Sequence, residues 1–461
     1  MLRTNTMAAQ IGIREQSEAE TLVKYLTGEG YLPVMRSMLS GICSLSGLPE
    51  PEQDLVRKVF RTSYPTFMRE TDDIIGDLFL TDEFAYTLVP QGTESLRASA
   101  IGYNETDEAL LAFCGQIEQG VRSTFDGRRV RGMNFSWKAA RLRATRQRAP
   151  RYSSFEDYLL AGPEPGAVDM EAREPTFGDA DADAARLLVD QNTRNFMSKL
   201  AQVGKMRKKD ALDATGPDVI KSVLDLGLAA EEYLLTCRQD QHTICVVPEK
   251  GDLAKDHLAT LRCSVCSRSF PDENIEIIFT LSGLGKKLLD GSLWMSVWVT
   301  ELLEHNGVSR EAVKWGLEAG GDELDLMVDD FDTRVFFELK DREFGLGDAY
   351  PFVYRITRYG GAVGLIATMD KVSTDAKQFL EEQTKAREGY TVQIRYFEGA
   401  DDIEAGVTQL VEFLSRLQAR SLVLPLSRSV GIDLWPILDG WIEARTRDAG
   451  AETPGLSRRA N

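Results

Sequence analysis

The chain has 461 residues, 43% hydrophobic and 27% charged, with 72 acids against 54 Lys and Arg for a formal net charge of −18. Such a length predicts two to four domains of roughly 150 residues, each able to bury a core. The longest apolar stretches, such as Gly361 to Met369, are too short to span a bilayer, the start MLRTNTMAAQIGIREQ lacks a signal peptide's apolar core, and the acidic balance argues against a surface that coats nucleic acid throughout, so a cytoplasmic, membrane-free protein is expected.

From Glu18 to about Arg148, segments such as AETLVKYL, PEQDLVRKVF and DEALLAFCGQIEQGV repeat apolar residues at three- and four-residue steps. Residues 1–151 are therefore expected to be a helical domain of unknown role, a candidate surface for a protein partner or a second copy of the chain. Its end is basic: ten Lys or Arg fall between Arg122 and Arg151, among them Arg141, Arg143 and Arg146, against the single acid Asp126, with Phe125, Phe135 and Trp137 interleaved. Such a stretch can bind nucleic acid by gripping phosphates and stacking bases, or pair with the acids that follow. Residues 152–190 hold ten acids, two arginines and several prolines, the composition of an acidic flexible linker.

In residues 191–290, Thr215, Gly216 and Pro217 read as a helix start, VIKSVLDLGL as a short amphipathic helix and Gly227 as its end. Strands EYLLTC (Glu232 to Cys237) and IEIIFTL (Ile275 to Leu281) and the helix GLGKKLLDG follow. This order resembles a winged helix with a metal-binding insert between the wing strands. Beyond Gly291 come the helix LWMSVWVTELLEH and strands near Val313 to Leu317, Glu323 to Val328 and Val335 to Leu339. A helix from Pro351, strand AVGLIATM, helix TDAKQFLEEQTKA, strand YTVQIRYF and a helix after Asp401 complete it. Residues 291–421 thus read as one α/β domain with a mixed sheet, and 422–461 as a C-terminal helix and tail.

Of six cysteines, Cys43 and Cys114 sit alone in apolar helical surroundings as buried thiols, whereas Cys237, Cys245, Cys263 and Cys266 fall within thirty residues. Cys263 and Cys266 form CSVC, and His242 with Cys245 repeats the spacing as HTIC. Four soft ligands close a zinc tetrahedron and leave no position for catalysis, so the expected role of Zn²⁺ is structural. Cys237, Cys245, Cys263 and Cys266 are the expected ligands, with His242 the alternative to Cys237.

The strongest chemical signal is GDELDLMVDDFDTRVFFELKDREF, from Gly321 to Phe344. Strand alternation puts Glu323 and Asp325 on one face of ELDLMV, and Glu338 and Lys340 on one face of VFFELK. Pairing of the strands would bring Asp325, Glu338 and Lys340 to one end of the sheet. Two hard carboxylates there can hold Mg²⁺ or Mn²⁺, and a lysine beside them can orient the attacking water.

Aspartate, twelve intervening residues and then Glu-Leu-Lys resembles the PD-(D/E)XK motif of restriction-endonuclease-like nucleases, with Asp325, Glu338 and Lys340 at the motif positions. The order GSLWM (Gly291 to Met295), DELD (Asp322 to Asp325), ELK and PFVYRITRYGG (Pro351 to Gly361) is similar to that in the nuclease domains of CRISPR-ancillary effectors activated by cyclic oligoadenylate. Ser296 stands where those domains have an acid and Asp322 where they have asparagine, so Glu301 or Glu304 is expected to supply the missing carboxylate. Their nucleotide-sensing domain has no counterpart in the N-terminal region, and activation by a cyclic nucleotide is not carried over. Tyr354, Arg355 and Arg358 are placed to contact phosphate.

The expected chain is thus multidomain, α plus α/β: a helical N-terminal domain, a winged helix with a zinc-ribbon insert, and a restriction-endonuclease-like mixed-sheet domain. The resemblance implies a metal-dependent endonuclease acting on DNA ahead of RNA, in prokaryotic anti-phage defence. The alternative is a noncatalytic nucleic-acid-binding regulator, or a subunit of a defence complex.

Overall fold

The structure is a computed structural model that describes residues 1–39, 76–91, 94–140, 171–319, 322–330, 333–358, 363–385, 393–430 and 433–451. The chain divides into two compact units, Met1–Glu164 with Asp330–Thr333 and Gln409–Asn461, and Pro165–Asp329 with Arg334–Thr408.

The first unit is built on an antiparallel sheet of six strands, which corrects the expected helical domain over 1–151. Its strands are β1 (Arg3–Gln10), β2 (Leu32–Pro33), β3 (Asp77–Leu80), β4 (Phe84–Gln91), β5 (Ser95–Gly102) and β6 (Asn134–Ala139), in the order β2-β3-β4-β5-β1-β6. Helices do form at Gln16–Gly28 and Thr106–Thr124, and their Leu22, Phe113 and Ile117 cover Phe79, Leu88 and Ala98. PEQDLVRKVF and Cys43 lie outside the described residues. The strands escaped periodicity because β4 and β5 are buried on both faces, which removes the apolar–polar alternation of a half-exposed strand.

The other face is covered by the end of the chain. Leu422 and Leu426 of the helix Ala400–Val430, with Leu438, Trp441 and Ile442 of Trp435–Ala451, meet Leu78, Leu80 and Ile101. Residues 422–451 therefore belong to the first unit rather than to a separate tail, and the α/β region ends at Thr408 rather than at 421. In the basic stretch, Arg122 pairs with Glu118 at 2.7 Å and lies 4.2 Å from the Phe135 ring centroid. Phe125, Phe135 and Trp137 pack on the core, so these aromatics are committed to the fold. Arg141, Arg143 and Arg146 lie outside the described residues.

The second unit includes β7 (Glu171–Arg173) and the helix Asp179–Leu187, so residues 171–190 of the expected linker are built into the fold. Phe177 stacks on Trp315 (5.6 Å between centroids) beneath the Arg310 guanidinium at 4.0 Å, and Asp181 pairs with Lys287 at 2.7 Å. Composition alone registered the acids and not their distant cations.

Next come the helix Gln191–Val203, β8 (Lys205–Arg207), the helices Lys208–Thr215 and Pro217–Asp225, β9 (Ala229–Thr236), β10 (Thr243–Val247) and β11 (Asn274–Leu281). The strands are antiparallel in the order β10-β9-β11-β8. Asp190 accepts the Thr193 N–H at 2.8 Å, capping the first helix. Gly227, at φ 67°, makes the turn into β9 that a side chain would strain.

A second sheet holds β12 (Val313–Ala319), β13 (Asp322–Asp330), β14 (Thr333–Lys340), β15 (Val363–Thr368) and β16 (Gln393–Glu398), with β7 on its far edge, in the order β16-β15-β14-β13-β12-β7. β14, β15 and β16 run parallel, joined by the helices Leu346–Arg358 and Thr374–Lys385. β12 is antiparallel to both β13 and β7. The helix Leu293–His305 precedes β12. Among the described residues no helix is long and apolar enough to cross a membrane.

Candidate functional site

β14 runs through the core from Val335 to Leu339, with Glu338 buried among them, and reaches partial exposure only at Lys340. Lys340 Nζ lies 2.9 Å from Glu338 Oε1 and 3.5 Å from Asp325 Oδ2 of β13. The Leu339 N–H donates to Asp325 Oδ2 at 2.7 Å. From the helix Leu346–Arg358, Arg355 Nη1 reaches to 3.7 Å of Glu338 Oε2. That helix is seated by Phe352 and Ile356 against Phe336 and Ile366. Gly364 on β15 permits the approach, since a Cβ there would lie 2.2 Å from Ile356 Cδ1.

Four of the predicted residues, Asp325, Glu338, Lys340 and Arg355, thus meet. Glu338 is only 4% exposed, and a buried carboxylate is costly unless paired. Burial, and then the Asp325 charge, push its carboxyl up to about 7 against the pull of Lys340 and Arg355. Burial lowers the Lys340 ammonium, but Glu338 and Asp325 outweigh it and raise it above its ordinary value. Glu338 Oε2 is buried and has no hydrogen-bond partner among the described residues. An orphaned hard oxygen beside a second carboxylate fits a divalent cation.

Other predicted residues stand apart. Glu301 is corrected: both its oxygens pair with Arg186 at 3.0 Å, a cation from the segment expected to be a linker, while Glu304 pairs with Arg310 at 2.7 Å. Glu323 is exposed beside Gly316. Tyr354 is 58% exposed on the same helix as Arg355, and the Arg358 side chain lies outside what is described. Sequence reasoning missed the Arg342–Asp348 pair, 2.9 Å apart, which braces the chain just past Lys340. It also missed Gly364, whose role depends on a helix distant in sequence.

In the insert between β9 and β11, Cys237, Cys263, Cys266 and Glu273 converge, one ligand atom of each lying within 4.8 Å of the others, and could hold a metal ion. Cys237 Sγ and Cys266 Sγ are 3.7 Å apart. Buried Glu273 accepts from Cys266 Sγ at 2.7 Å and from the Arg238 N–H at 2.8 Å. Cys245 is corrected: it pairs with Leu235 across β10 and β9, past a register shift, and joins the small core of Leu235, Val247 and Leu253.

The two cysteine turns repeat one hydrogen-bond pattern. Cys237 N–H donates to His242 O and Gln241 N–H to Cys237 O, while Cys263 N–H donates to Arg268 O and Ser267 N–H to Cys263 O, all at 2.9 Å. Gln239 and Val265 aim their N–H groups at Cys237 and Cys263 Sγ at 3.4 and 3.5 Å. Gln241 and Ser267 both have positive φ, 63° and 57°, uncommon for side-chain-bearing residues. The fourth residue of the second turn is Cys266, and that of the first is Asp240. Asp240 and His242, in contact with each other, form with Cys237 a second candidate ligand group. The spacing Cys237-x-x-Asp240 was the available signal, obscured because its fourth residue is an oxygen donor where the second turn has a thiol. Three thiols with carboxylate or imidazole donors are compatible with structural zinc.

No protein-family model matches the chain, and no curated protein matches its sequence.

Proposed function

We propose that the chain is a divalent-cation-dependent nuclease that hydrolyses phosphodiester bonds, DNA ahead of RNA. The observation that carries this reading is the meeting of Asp325, Glu338 and Lys340 on the neighbouring strands β13 and β14, with Glu338 Oε2 buried and without a hydrogen-bond partner among the described residues. Asp325 and Glu338 would hold Mg²⁺ or Mn²⁺, which supplies polarisation of the scissile phosphate and acidification of a water. The Leu339 N–H fixes the Asp325 carboxylate. Lys340 orients the attacking water and stabilises charge developing on phosphorus oxygens. The water oxygen bonds to phosphorus, the bond to the leaving sugar oxygen breaks, and that oxygen takes up a proton.

The order helix, β12, β13, β14, helix, β15 supports a restriction-endonuclease-like domain, and the role in anti-phage defence follows from that resemblance. The order helix, β8, helix, helix, β9, β11, with β11 between β9 and β8, supports a winged helix whose insert carries structural zinc and whose task is to place nucleic acid. The same module favours the second reading, a noncatalytic nucleic-acid-binding regulator. Incubation of the purified chain with circular and linear, single- and double-stranded DNA and RNA, in Mg²⁺, Mn²⁺ or chelator, separates the two. Cation-dependent cleavage lost in Lys340→Ala supports the nuclease, and binding without cleavage in either cation supports the regulator.

A further inference from the structure

Asp325, Glu338, Lys340 and Arg355 meet as two acids and two bases, electrically balanced when all four are charged, with the mutually paired Arg342 and Asp348 beside them. The balance is imperfectly bonded. Glu338 Oε2 and Arg355 Nε are both buried and without hydrogen-bond partners among the described residues, although Arg355 Nη1 lies 3.7 Å from that same oxygen. The separation exceeds hydrogen-bond range, so the two attract across a gap without satisfying each other. Lys340, by contrast, bonds Glu338 Oε1 directly at 2.9 Å.

A divalent cation bound by Asp325 and Glu338 would add two positive charges to a balanced cluster. Repulsion within a half-buried site is only partly screened. Arg355 is the more weakly attached base, and it sits on a helix whose neighbouring Tyr354 is open to solvent. Phosphodiester oxygens would supply the charge the loaded cluster lacks, and the two non-bridging oxygens can accept a planar guanidinium bidentately.

We propose that Arg355 is a counter-cation exchanged between two partners: it holds Glu338 when no divalent cation is bound, and turns to a nucleic-acid phosphate when one is. Metal and nucleic acid then bind with positive coupling, each raising the affinity of the other by the same factor. This inference rests on the two-carboxylate metal site proposed above.

The test is calorimetric titration of Mn²⁺ into the full chain, alone and with a phosphorothioate DNA duplex present, for the parent, Arg355→Gln, Arg355→Met and Arg355→Lys. Neutralising Arg355 should tighten Mn²⁺ binding to the free protein by about 5- to 150-fold, the ordinary size of such coupling. The same variants should weaken duplex binding and reduce the effect of duplex on Mn²⁺ affinity to what direct cation–phosphate attraction alone supplies, whereas Arg355→Lys keeps parental Mn²⁺ affinity. A merely structural arginine would weaken both ligands together on removal. Unchanged or weaker Mn²⁺ binding in the folded Gln and Met variants overturns the exchange while leaving the metal site standing. A parent that takes up no Mn²⁺, with or without duplex, removes the metal site and the exchange with it.

Discussion

The carboxylate of Asp325 on β13 accepts the backbone N–H of Leu339 on β14 at 2.7 Å. One strand's main chain thus fixes the functional group of its neighbour, between the two residues, Glu338 and Lys340, that this group serves. A carboxylate held by the backbone loses little entropy when it takes a ligand. Its placement depends on sheet register rather than on flexible side chains.

The cysteine cluster should carry about one zinc per chain, because three thiols with a further donor make a closed structural set. Cys245→Ser should keep the metal and Cys263→Ser should lose it, with a fall in melting temperature for the second only. Metal analysis of both variants decides this. Equal loss would restore Cys245 to the ligand set.

Replacement of Gly364 by alanine puts a Cβ 2.2 Å from Ile356 Cδ1 and 3.2 Å from two Phe352 ring atoms. Overpacking of this kind costs about 1–3 kcal/mol. Denaturant unfolding should show that loss, and cleavage should fall with it, since the displaced helix carries Arg355. Full stability in Gly364→Ala would contradict the close approach.

Asp77 is fully buried in the first unit, where the N–H groups of Met35, Arg36 and Leu78 donate to it at 2.8, 3.1 and 2.8 Å. Burial nonetheless pushes its carboxyl from 3.8 up to about 7. The folded chain then keeps a proton that the unfolded chain has released between those values. Its contribution to stability is complete below the lower value and lost as pH rises through the upper one. Asp77→Asn, which cannot ionise, should gain stability relative to the parent as pH rises from about 4 to about 7, as melting curves would show. A parent–variant difference flat across that range would mean Asp77 is ionised throughout.

Legibility of the sequence tracked what each element faces. The helix Thr106–Thr124 has one buried stripe, and the runs ending in Glu338-Leu339-Lys340 carry their acids at a fixed distance, so both could be read from spacing. β4 and β5 could not, because burial on both faces erases their alternation. Glu301 was drawn to the site by its helix, while its partner Arg186 lay in a segment whose composition suggested no fold. Cys245 fits a ligand spacing, yet a register shift in β10 seats it opposite Leu235. Spacing fixes neither register nor the far partner of a charge.

If the basic stretch reaches nucleic acid, reversing Arg141, Arg143 and Arg146 to Glu should weaken binding and flatten its salt dependence, since each lost phosphate contact removes released counterions. Filter binding across a salt series reads both. Unchanged affinity and slope would assign the stretch to pairing with the acidic residues that follow it.

The most direct test is cleavage of nucleic acid by the parent, Asp325→Ala, Glu338→Ala and Lys340→Ala in Mg²⁺ and in Mn²⁺, with folding checked by melting. Each variant should remain folded, since Asp325 and Lys340 are only half-buried and buried Glu338 lies two residues from the end of a strand anchored by Phe336 and Phe337. Each should lose on the order of 10²-fold or more in rate, the usual effect of removing one charge-stabilising group. Folded variants that cleave as fast as the parent would contradict the site.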